Sequence, residues 1–171
     1  MTRLLPEFPA LQLTAAVAAP AGGALGKDIG TLAGGEPLGV LLTASLTDAL
    51  RGAQLLIDFS TASAASATIT AARAAGVPLL LGTTGLAADL QNQLDLAATR
   101  IPVLAAANTS IGVAVLTDLV QRAARALGPS IDIEIVEAHH RRKVDAPSGT
   151  ALALGQAVAS ARCTTLSAVQ A

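Results

Sequence analysis

The segment LLIDFSTASAASATITAARAAGVPLLLGTTG, residues 55–85, carries the pattern that decides the fold. Two short apolar runs, LLI from Leu55 and PLLL from Pro78, flank an alanine-rich stretch from Ala62 to Ala75 that ends before Gly76. Continuously apolar strands are expected when helices cover both faces of a parallel sheet, and a glycine after the alanine-rich stretch is a helix stop signal. The segment therefore predicts a βαβ unit with a parallel sheet.

The same alternation of short β-suited runs and alanine-rich stretches continues along the chain. Helix start and stop signals bound three further stretches, from Ser45 to Arg51, from Ala87 to Thr99, and from Ile111 to Leu127. Strands that alternate with helices in this way predict an α/β fold with a Rossmann-like, doubly wound parallel sheet. The remaining predicted strands lie at residues 11–17, 39–42, 103–106 and 131–136.

Composition excludes several classes of partner. The chain has 171 residues, of which 52% are hydrophobic, so it can bury a core. Its 11 basic and 12 acidic residues give a net charge of −1, which provides no general attraction to phosphate backbones or anionic lipid. The only aromatic residues are Phe8 and Phe59, so bases would find no stacking platform. We therefore expect no nucleic-acid partner.

The apolar content does not predict a membrane span. The uncharged run at residues 101–117 is interrupted by the polar residues Asn108 to Ser110, as expected for a strand, a turn and a helix. Near the amino end, Pro6, Glu7 and Pro9 break the apolar region that an export signal needs. The single cysteine, Cys163, fits a reducing compartment. We expect a cytoplasmic protein without a membrane partner.

Polar segments follow four of the predicted strands. They are Asp58 to Thr61, Gly82 to Gly85, Ala106 to Ser110, and the segment that begins at His139. Ligands of open parallel sheets bind at the carboxyl ends of the strands, so these segments are the candidate site.

Each of the first three segments has a structural alternative. The Gly82–Gly85 segment could form only a tight turn, or it could offer amides and hydroxyl groups to a ligand. Asn108 to Ser110 could cap the following helix, and Asp58 could serve the start of another. Helix capping and ligand contact are compatible, so both interpretations stay open.

The stretch EAHHRRKVDAPSGTA, residues 137–151, contains both histidines of the chain. Ser148, Gly149 and Thr150 precede a helix-forming run, and would present hydroxyl groups and free amides at a helix amino terminus, where anions bind. Imidazole exchanges protons near neutral pH, and Lys143 adds positive charge. The stretch suits a small carboxylate substrate that is protonated as it reacts.

This stretch has two other interpretations. A solvated basic turn would explain Arg141 and Arg142. Adjacent histidines without a cysteine or a second cluster of ligands do not predict a metal site. If residues 131–140 form a strand, side chains alternate between its faces, so His139 shares a face with Glu137 and His140 points the other way.

The same stretch, together with DFST, GTTG and AANTSIGV at their present spacings, resembles the 4-hydroxy-tetrahydrodipicolinate reductase family. These are NAD(P)H-dependent enzymes of lysine and diaminopimelate synthesis in bacteria and plants. The resemblance implies hydride transfer from NADH or NADPH to a small cyclic dicarboxylate, and a homotetramer in the complete enzyme. It also implies a dinucleotide-binding domain at residues 1–130 and the start of a substrate-binding domain at 131–171.

The resemblance assigns roles position by position. His139 would be the proton donor or acceptor and Lys143 the proton donor. His140, Gly149 and Thr150 would hold the substrate carboxylates. The residues that would line the nicotinamide cofactor are Gly82, Thr83, Thr84, Ala106, Ala107, Asn108 and Thr109.

The chain also departs from the family pattern. The family begins with a central strand and a G-x-x-G-x-x-G turn for the cofactor pyrophosphate, and neither precedes the predicted strand at 11–17. Ala18, Ala19 and Pro20 stand where a charged residue usually reads the ribose, so a preference for NADH or NADPH is not predicted. We expect a sheet without its first strand, a substrate domain that is only begun, and poor stability or activity of the chain alone. A non-catalytic anion-binding remnant or assembly module is the alternative to the reductase.

Overall fold

The computed structural model describes residues 1–141 and 146–169, which form two compact units. One unit comprises residues 1–81 and 86–105, and the other comprises residues 82–85 and 106–171. These units are defined by packing. The functional division at residue 130 stays a prediction.

The first unit contains the parallel strands. Its strands are β1 (Ala16–Val17), β2 (Leu42–Thr43), β3 (Leu56–Asp58), β4 (Leu79–Leu81) and β5 (Val103–Ala105). Its helices are a 3-10 helix (Thr2–Glu7), α1 (Ile29–Leu32), α2 (Leu46–Ala49), α3 (Ala62–Ala75) and α4 (Ala88–Ala98).

The predicted βαβ unit is confirmed. Strands β3, β4 and β5 form a parallel sheet in that order, with Leu56 opposite Leu79 and Leu79 opposite Val103. Helix α3 ends at Gly76, which has a φ of 69°, a left-handed conformation that glycine adopts without steric cost. The α/β fold with a Rossmann-like parallel sheet is thus the fold of this chain.

The core of this unit lies where α3 and α4 pack against β4. Ile69, Leu79 and Leu81 are fully buried, and each contributes about 1.5–3 kcal/mol through burial. The buried alanines of α3, Ala65 and Ala72, leave room for close packing of the helix. Residues 55–101 therefore stabilise the part of the sheet that precedes the candidate site.

Strands β1 and β2 form a separate, two-stranded parallel sheet. Only Ala16 with Leu42 and Val17 with Thr43 are paired, so the strands predicted at 11–17 and 39–42 are much shorter than expected. In the described residues, β1 pairs only with β2, and β3 pairs only with β4. A strand needs a hydrogen-bonded neighbour. Among the residues that the structure describes, β1 and β2 pair only with each other, and only two residues of each are paired.

Asp28 organises the loop between β1 and β2. Its carboxylate Oδ1 accepts hydrogen bonds from the amides of Leu38 at 3.1 Å, Gly30 at 2.8 Å and Thr31 at 3.1 Å. It thereby caps α1 and ties residue 38 to the same point. The hydrogen bond from the Leu38 amide is the largest cause of the lowered pKa of Asp28. Desolvation opposes it, and the hydrogen bonds from the amides of Thr31, Gly30 and Gly39 lower the pKa further.

The second unit is helical in its described part. It contains α5 (Ile111–Leu127), α6 (Gly149–Ala161) and α7 (Leu166–Val169), and α6 packs against both other helices. The predicted start and stop of α5 at Ile111 and Leu127 are confirmed.

The predicted strand at 131–136 is wrong, because the segment forms no strand within the described residues. Ile131, Ile133 and Ile135 keep the alternation of a strand, but a strand requires a neighbour, and the described residues supply none. The segment is instead held by side chains, since Arg162 Nη2 donates to the carbonyl oxygen of Ile131 at 2.6 Å.

No helix in the ranges 1–141 and 146–169 has both the length and the apolar character needed to cross a membrane.

Replacing Asp28 with Asn should lower the melting temperature at neutral pH, because the amides then share an uncharged acceptor. The pKa of Asp28 in the folded state lies below 3.8, so the stability that the carboxylate contributes is complete above that value and is lost as the pH falls through the lower, folded pKa. The difference in melting temperature between the wild type and D28N should therefore narrow below pH 3.8. Circular dichroism melts over a pH series measure it.

The control is Asp132→Asn, which removes an exposed carboxylate and should not change the melting temperature at neutral pH. A difference between the wild type and D28N that stays constant into acid would contradict the role given to Asp28.

Candidate functional site

Three of the segments singled out in the sequence meet in the second unit. They are the GTTG turn that follows β4, residues 106–110 that follow β5, and residues 148–150 at the start of α6. The first two are strand ends and the third is a helix amino terminus. The contacts that join them define the candidate site.

The closest approach is between Gly149 and Thr84. A Cβ atom on Gly149 would lie 2.9 Å from Thr84 Cγ2 and 3.1 Å from Thr84 Cβ, and 3.8 Å from the Cβ of Ala107. Contacts below 3.0 Å are sterically excluded, so a residue larger than glycine cannot occupy this position without displacing its neighbours. Gly149 therefore lets the start of α6 contact Thr84 and Ala107, in the two segments that follow the strands.

A hydrogen bond joins the predicted cofactor and substrate residues. Asn108 Nδ2 donates to Thr150 Oγ1 at 2.9 Å, across 42 positions of sequence. Asn108 Oδ1 also accepts from the Ser110 amide at 2.8 Å, close to the start of α5. One end of the Asn108 amide thus serves the turn before α5, and the other contacts Thr150. Contact of Asn108 with a ligand stays a prediction.

Thr83 has a buried hydroxyl group that lacks a partner. Thr83 is 6% exposed, and within the described residues its Oγ1 makes no hydrogen bond. Leaving a buried polar group unsatisfied costs about 1–3 kcal/mol, so such groups commonly face a ligand or water. Thr83 lies between Gly82 and Thr84 in the turn predicted to line a nicotinamide ring, and it fits a polar group there.

The other predicted cofactor residues surround this turn in sequence and differ in exposure. Gly82 and Ala106 are partly buried, whereas Thr84, Ala107 and Thr109 are exposed. Gly82, Ala106 and Ala107 have small side chains or none, and the threonines supply hydroxyl groups. These residue types are compatible with the predicted nicotinamide contact, which stays a prediction.

Helix α6 begins with a well-formed cap. Ser148 is buried, and its Oγ accepts from the Ala151 amide at 3.1 Å. The amides of Gly149 and Thr150 lie in the first turn, where no intrahelical acceptor exists. With the helix dipole, these groups form an environment that favours a carboxylate.

Glu137 links His139 to this helix start. Nδ1 of His139 lies 3.5 Å from Oε2 of Glu137, and Oε1 of Glu137 accepts from the Ser148 amide at 2.7 Å. The side chains are 41% and 27% exposed, so the pair is open to solvent and to small ligands. The motif predicted no role for Glu137, although the alternation expected of a strand put it on the same face as His139.

The remaining predicted residues are His140 and Lys143. His140 follows His139 directly and is exposed. Lys143 lies outside the described residues, so its predicted role stays a prediction. Residues 1–141 and 146–169 contain no cluster of three or more His, Cys, Asp or Glu side chains that could hold a metal ion.

The chain matches two sequence models of one family. Residues 1–109 match the model described as "Dihydrodipicolinate reductase, N-terminus", and residues 112–170 match "Dihydrodipicolinate reductase, C-terminus". The chain belongs to the dihydrodipicolinate reductase family. The resemblance carried by the GTTG, AANTSIGV and EAHH motifs is thus confirmed at the level of the family.

Individual relatives carry the name of the same enzyme. A 4-hydroxy-tetrahydrodipicolinate reductase of Anaeromyxobacter dehalogenans (strain 2CP-1) is 47% identical over 161 residues, which cover 94% of this chain and 60% of the relative. One of Acinetobacter baumannii (strain AYE) is 49% identical over 148 residues, which cover 86% of this chain and 54% of the relative. The chain thus spans less than two thirds of the length of these curated relatives.

A solved structure shares the fold. The dipicolinate-bound dihydrodipicolinate reductase from Paenisporosarcina sp. TG-14 superposes with a TM-score of 0.62 at 25% sequence identity. The match covers 86% of this chain and 56% of that one.

Replacing Gly149 with Ala should lower the free energy of unfolding by about 1–3 kcal/mol, because the added methyl group overpacks against Thr84. Gly149 is the first residue of α6, where the gain in helix propensity is smaller than the gain of about 1 kcal/mol in a helix interior, so a net loss remains. Urea unfolding measures the difference.

Gly112→Ala is the matched control, since Gly112 also lies in the first turn of a helix. A Cβ there meets only Ser110 Oγ at 3.6 Å, an ordinary contact, so G112A should be neutral or slightly stabilising. A G149A variant as stable as G112A would contradict the close packing of α6 on Thr84.

Proposed function

We propose that this chain carries the site of a 4-hydroxy-tetrahydrodipicolinate reductase, which reduces a cyclic dicarboxylate with NADH or NADPH in lysine and diaminopimelate synthesis. Membership in the dihydrodipicolinate reductase family supports the reaction class. The observation that carries the proposal is the contact of Gly149 and Thr150 with Thr84 and Asn108, since it puts an anion-binding helix start beside the turns that fit a nicotinamide ring.

The cofactor residues of the proposal are Gly82, Thr83, Thr84, Ala106, Ala107, Asn108 and Thr109. When bound, a reduced nicotinamide supplies the hydride. The protein would orient the nicotinamide ring. The buried Thr83 hydroxyl group and the small residues Gly82, Ala106 and Ala107 are suited to this role. The proposal covers both NADH and NADPH.

The substrate residues of the proposal lie at the start of α6. The amides of Gly149 and Thr150 can donate to one carboxylate of the substrate. Thr150 Oγ1 already accepts from Asn108, so its own proton is available for a further acceptor. The exposed imidazole of His140 would provide a positively polarised donor to the carboxylate groups.

Protonation is assigned to the segment that follows residue 137. His139 would donate or accept the proton at the substrate ring, since Glu137 links its imidazole to the start of α6. Lys143 would be the proton donor in the position that the family pattern gives it. The neighbouring carboxylates of the substrate would be neutralised by the same cationic segment.

The assembly and location follow from the family rather than from contacts. We propose a homotetramer for the complete enzyme and a cytoplasmic location, which the one exposed, free cysteine, Cys163, suits. The Paenisporosarcina structure, named as bound to dipicolinate, supports a planar dicarboxylate as the ligand class.

The activity is tested with this chain and with a version extended to the full length of the Anaeromyxobacter reductase. We expect the extended protein to oxidise NADH or NADPH with the product of pyruvate and aspartate semialdehyde condensation, and to bind dipicolinate in calorimetry. If both proteins bind dipicolinate but neither binds the cofactor nor turns over, the chain is an anion-binding module and not a reductase.

Two variants of the extended protein separate the roles of the histidines. His139→Asn should lower kcat by about 10²–10⁴-fold and leave the KM for the cofactor nearly unchanged, because only proton transfer is removed. His140→Asn should mainly raise the KM for the dicarboxylate. Steady-state kinetics measure both, and a wild-type kcat in H139N would show that the proton is handled elsewhere.

A further inference from the structure

Glu137 has no role in the proposed reaction, yet it contacts two parts of the site. Its carboxylate bridges the imidazole of His139 and the amide of Ser148, with distances of 3.5 Å to Nδ1 and 2.7 Å to the amide nitrogen. Oε2 makes the first contact and Oε1 makes the second. One rigid group therefore links the proton-transfer residue to the start of the helix that presents Gly149 and Thr150.

The contact with Ser148 fixes the carboxylate. A 2.7 Å distance is short for a hydrogen bond from an amide, as expected for a charged acceptor. Ser148 is buried and is itself held by the Ala151 amide, so the amide that binds Glu137 has little freedom. Glu137 is therefore anchored to α6 and does not simply follow His139 in solvent.

The carboxylate oxygen 3.5 Å from Nδ1 favours one tautomer of the His139 ring. A carboxylate accepts hydrogen bonds but cannot donate them when ionised, so a neutral imidazole beside it carries its proton on Nδ1. The Nε2 atom then holds the lone pair and is the nitrogen that exchanges protons with a ligand. Carboxylates that orient an imidazole in this way determine the tautomer in several enzyme classes.

We propose that Glu137 is a positioning residue, which holds His139 in the Nδ1-protonated tautomer and at a fixed distance from the amino terminus of α6. This inference rests on the proposed function for its catalytic consequence. Its structural part, the tautomer and orientation of His139, is independent of any turnover.

A purely structural role is the alternative, in which Glu137 only secures the start of α6. Glu137→Gln distinguishes the two. The glutamine Oε1 can still accept from the Ser148 amide, whereas its Nε2 places a donor where the carboxylate accepted. The helix start is kept, but the imidazole now meets a donor and is expected to carry its proton on Nε2.

Nitrogen-15 NMR of the imidazole groups tests the tautomer directly, in this chain and in the extended protein. The chain has only two histidines, so His140→Asn assigns the signals. We expect the wild type at a pH where the rings are neutral to show His139 with Nδ1 protonated, and E137Q to show a shift towards the Nε2-protonated form. The same His139 tautomer in the wild type and in E137Q would overturn the proposal.

Glu134→Gln is the matched control, since it makes the same chemical change at an exposed position three residues earlier. It should alter neither the tautomer nor the melting temperature. The melting temperature of E137Q should also stay close to that of E134Q, because the acceptor for Ser148 remains. A large loss of stability without a tautomer change would assign Glu137 to the structural role alone.

Kinetics of the extended protein complete the test. E137Q should lower kcat by about 10–100-fold with little change in the KM for the cofactor, and Glu137→Asp should recover part of kcat. Equal kcat values for E137Q and E134Q would also overturn the positioning role. If the wild type neither turns over nor binds dipicolinate, the proposed function fails, while the NMR result still decides the tautomer.

Discussion

The site depends on one steric constraint, the approach of α6 to the GTTG turn at Gly149. The absence of a side chain there lets the helix start lie against Thr84 and Ala107, and the hydrogen bond from Asn108 to Thr150 holds it in that place. Groups that are far apart in sequence thereby become neighbours. Without this approach, the free amides of the helix start and the strand-end turns would be two unrelated surfaces.

Much of the fold was predictable because its signals are local. Helix α3 was bounded correctly by the alanine-rich run and Gly76, and α5 by Ile111 and Leu127. The parallel pairing of β3 with β4 follows from the apolar runs on either side of α3. In each case, the local sequence signals that start or stop the element agree with its observed ends.

The errors occur where a local pattern needs a distant partner. Residues 131–136 alternate like a strand, but alternation specifies only which side chains share a face and not whether another strand pairs with them. For the same reason, the strands predicted at 11–17 and 39–42 are longer than the observed β1 and β2. In the site, motifs identified the residues but not the close contact of Gly149 with Thr84 or the bridge through Glu137, because a motif specifies residue types and not the contacts of their side chains.

The hydrogen bond between Asn108 and Thr150 also has a thermodynamic consequence. Because the two side chains are bonded, a ligand that reorients the amide of Asn108 changes the arrangement that a second ligand meets at Thr150. The affinities of the two ligands then become linked, and linkage is reciprocal: each changes the affinity for the other by the same factor. If ligands bind at residues 106–110 and at the helix start, as proposed, this side-chain contact makes the two binding events energetically interdependent.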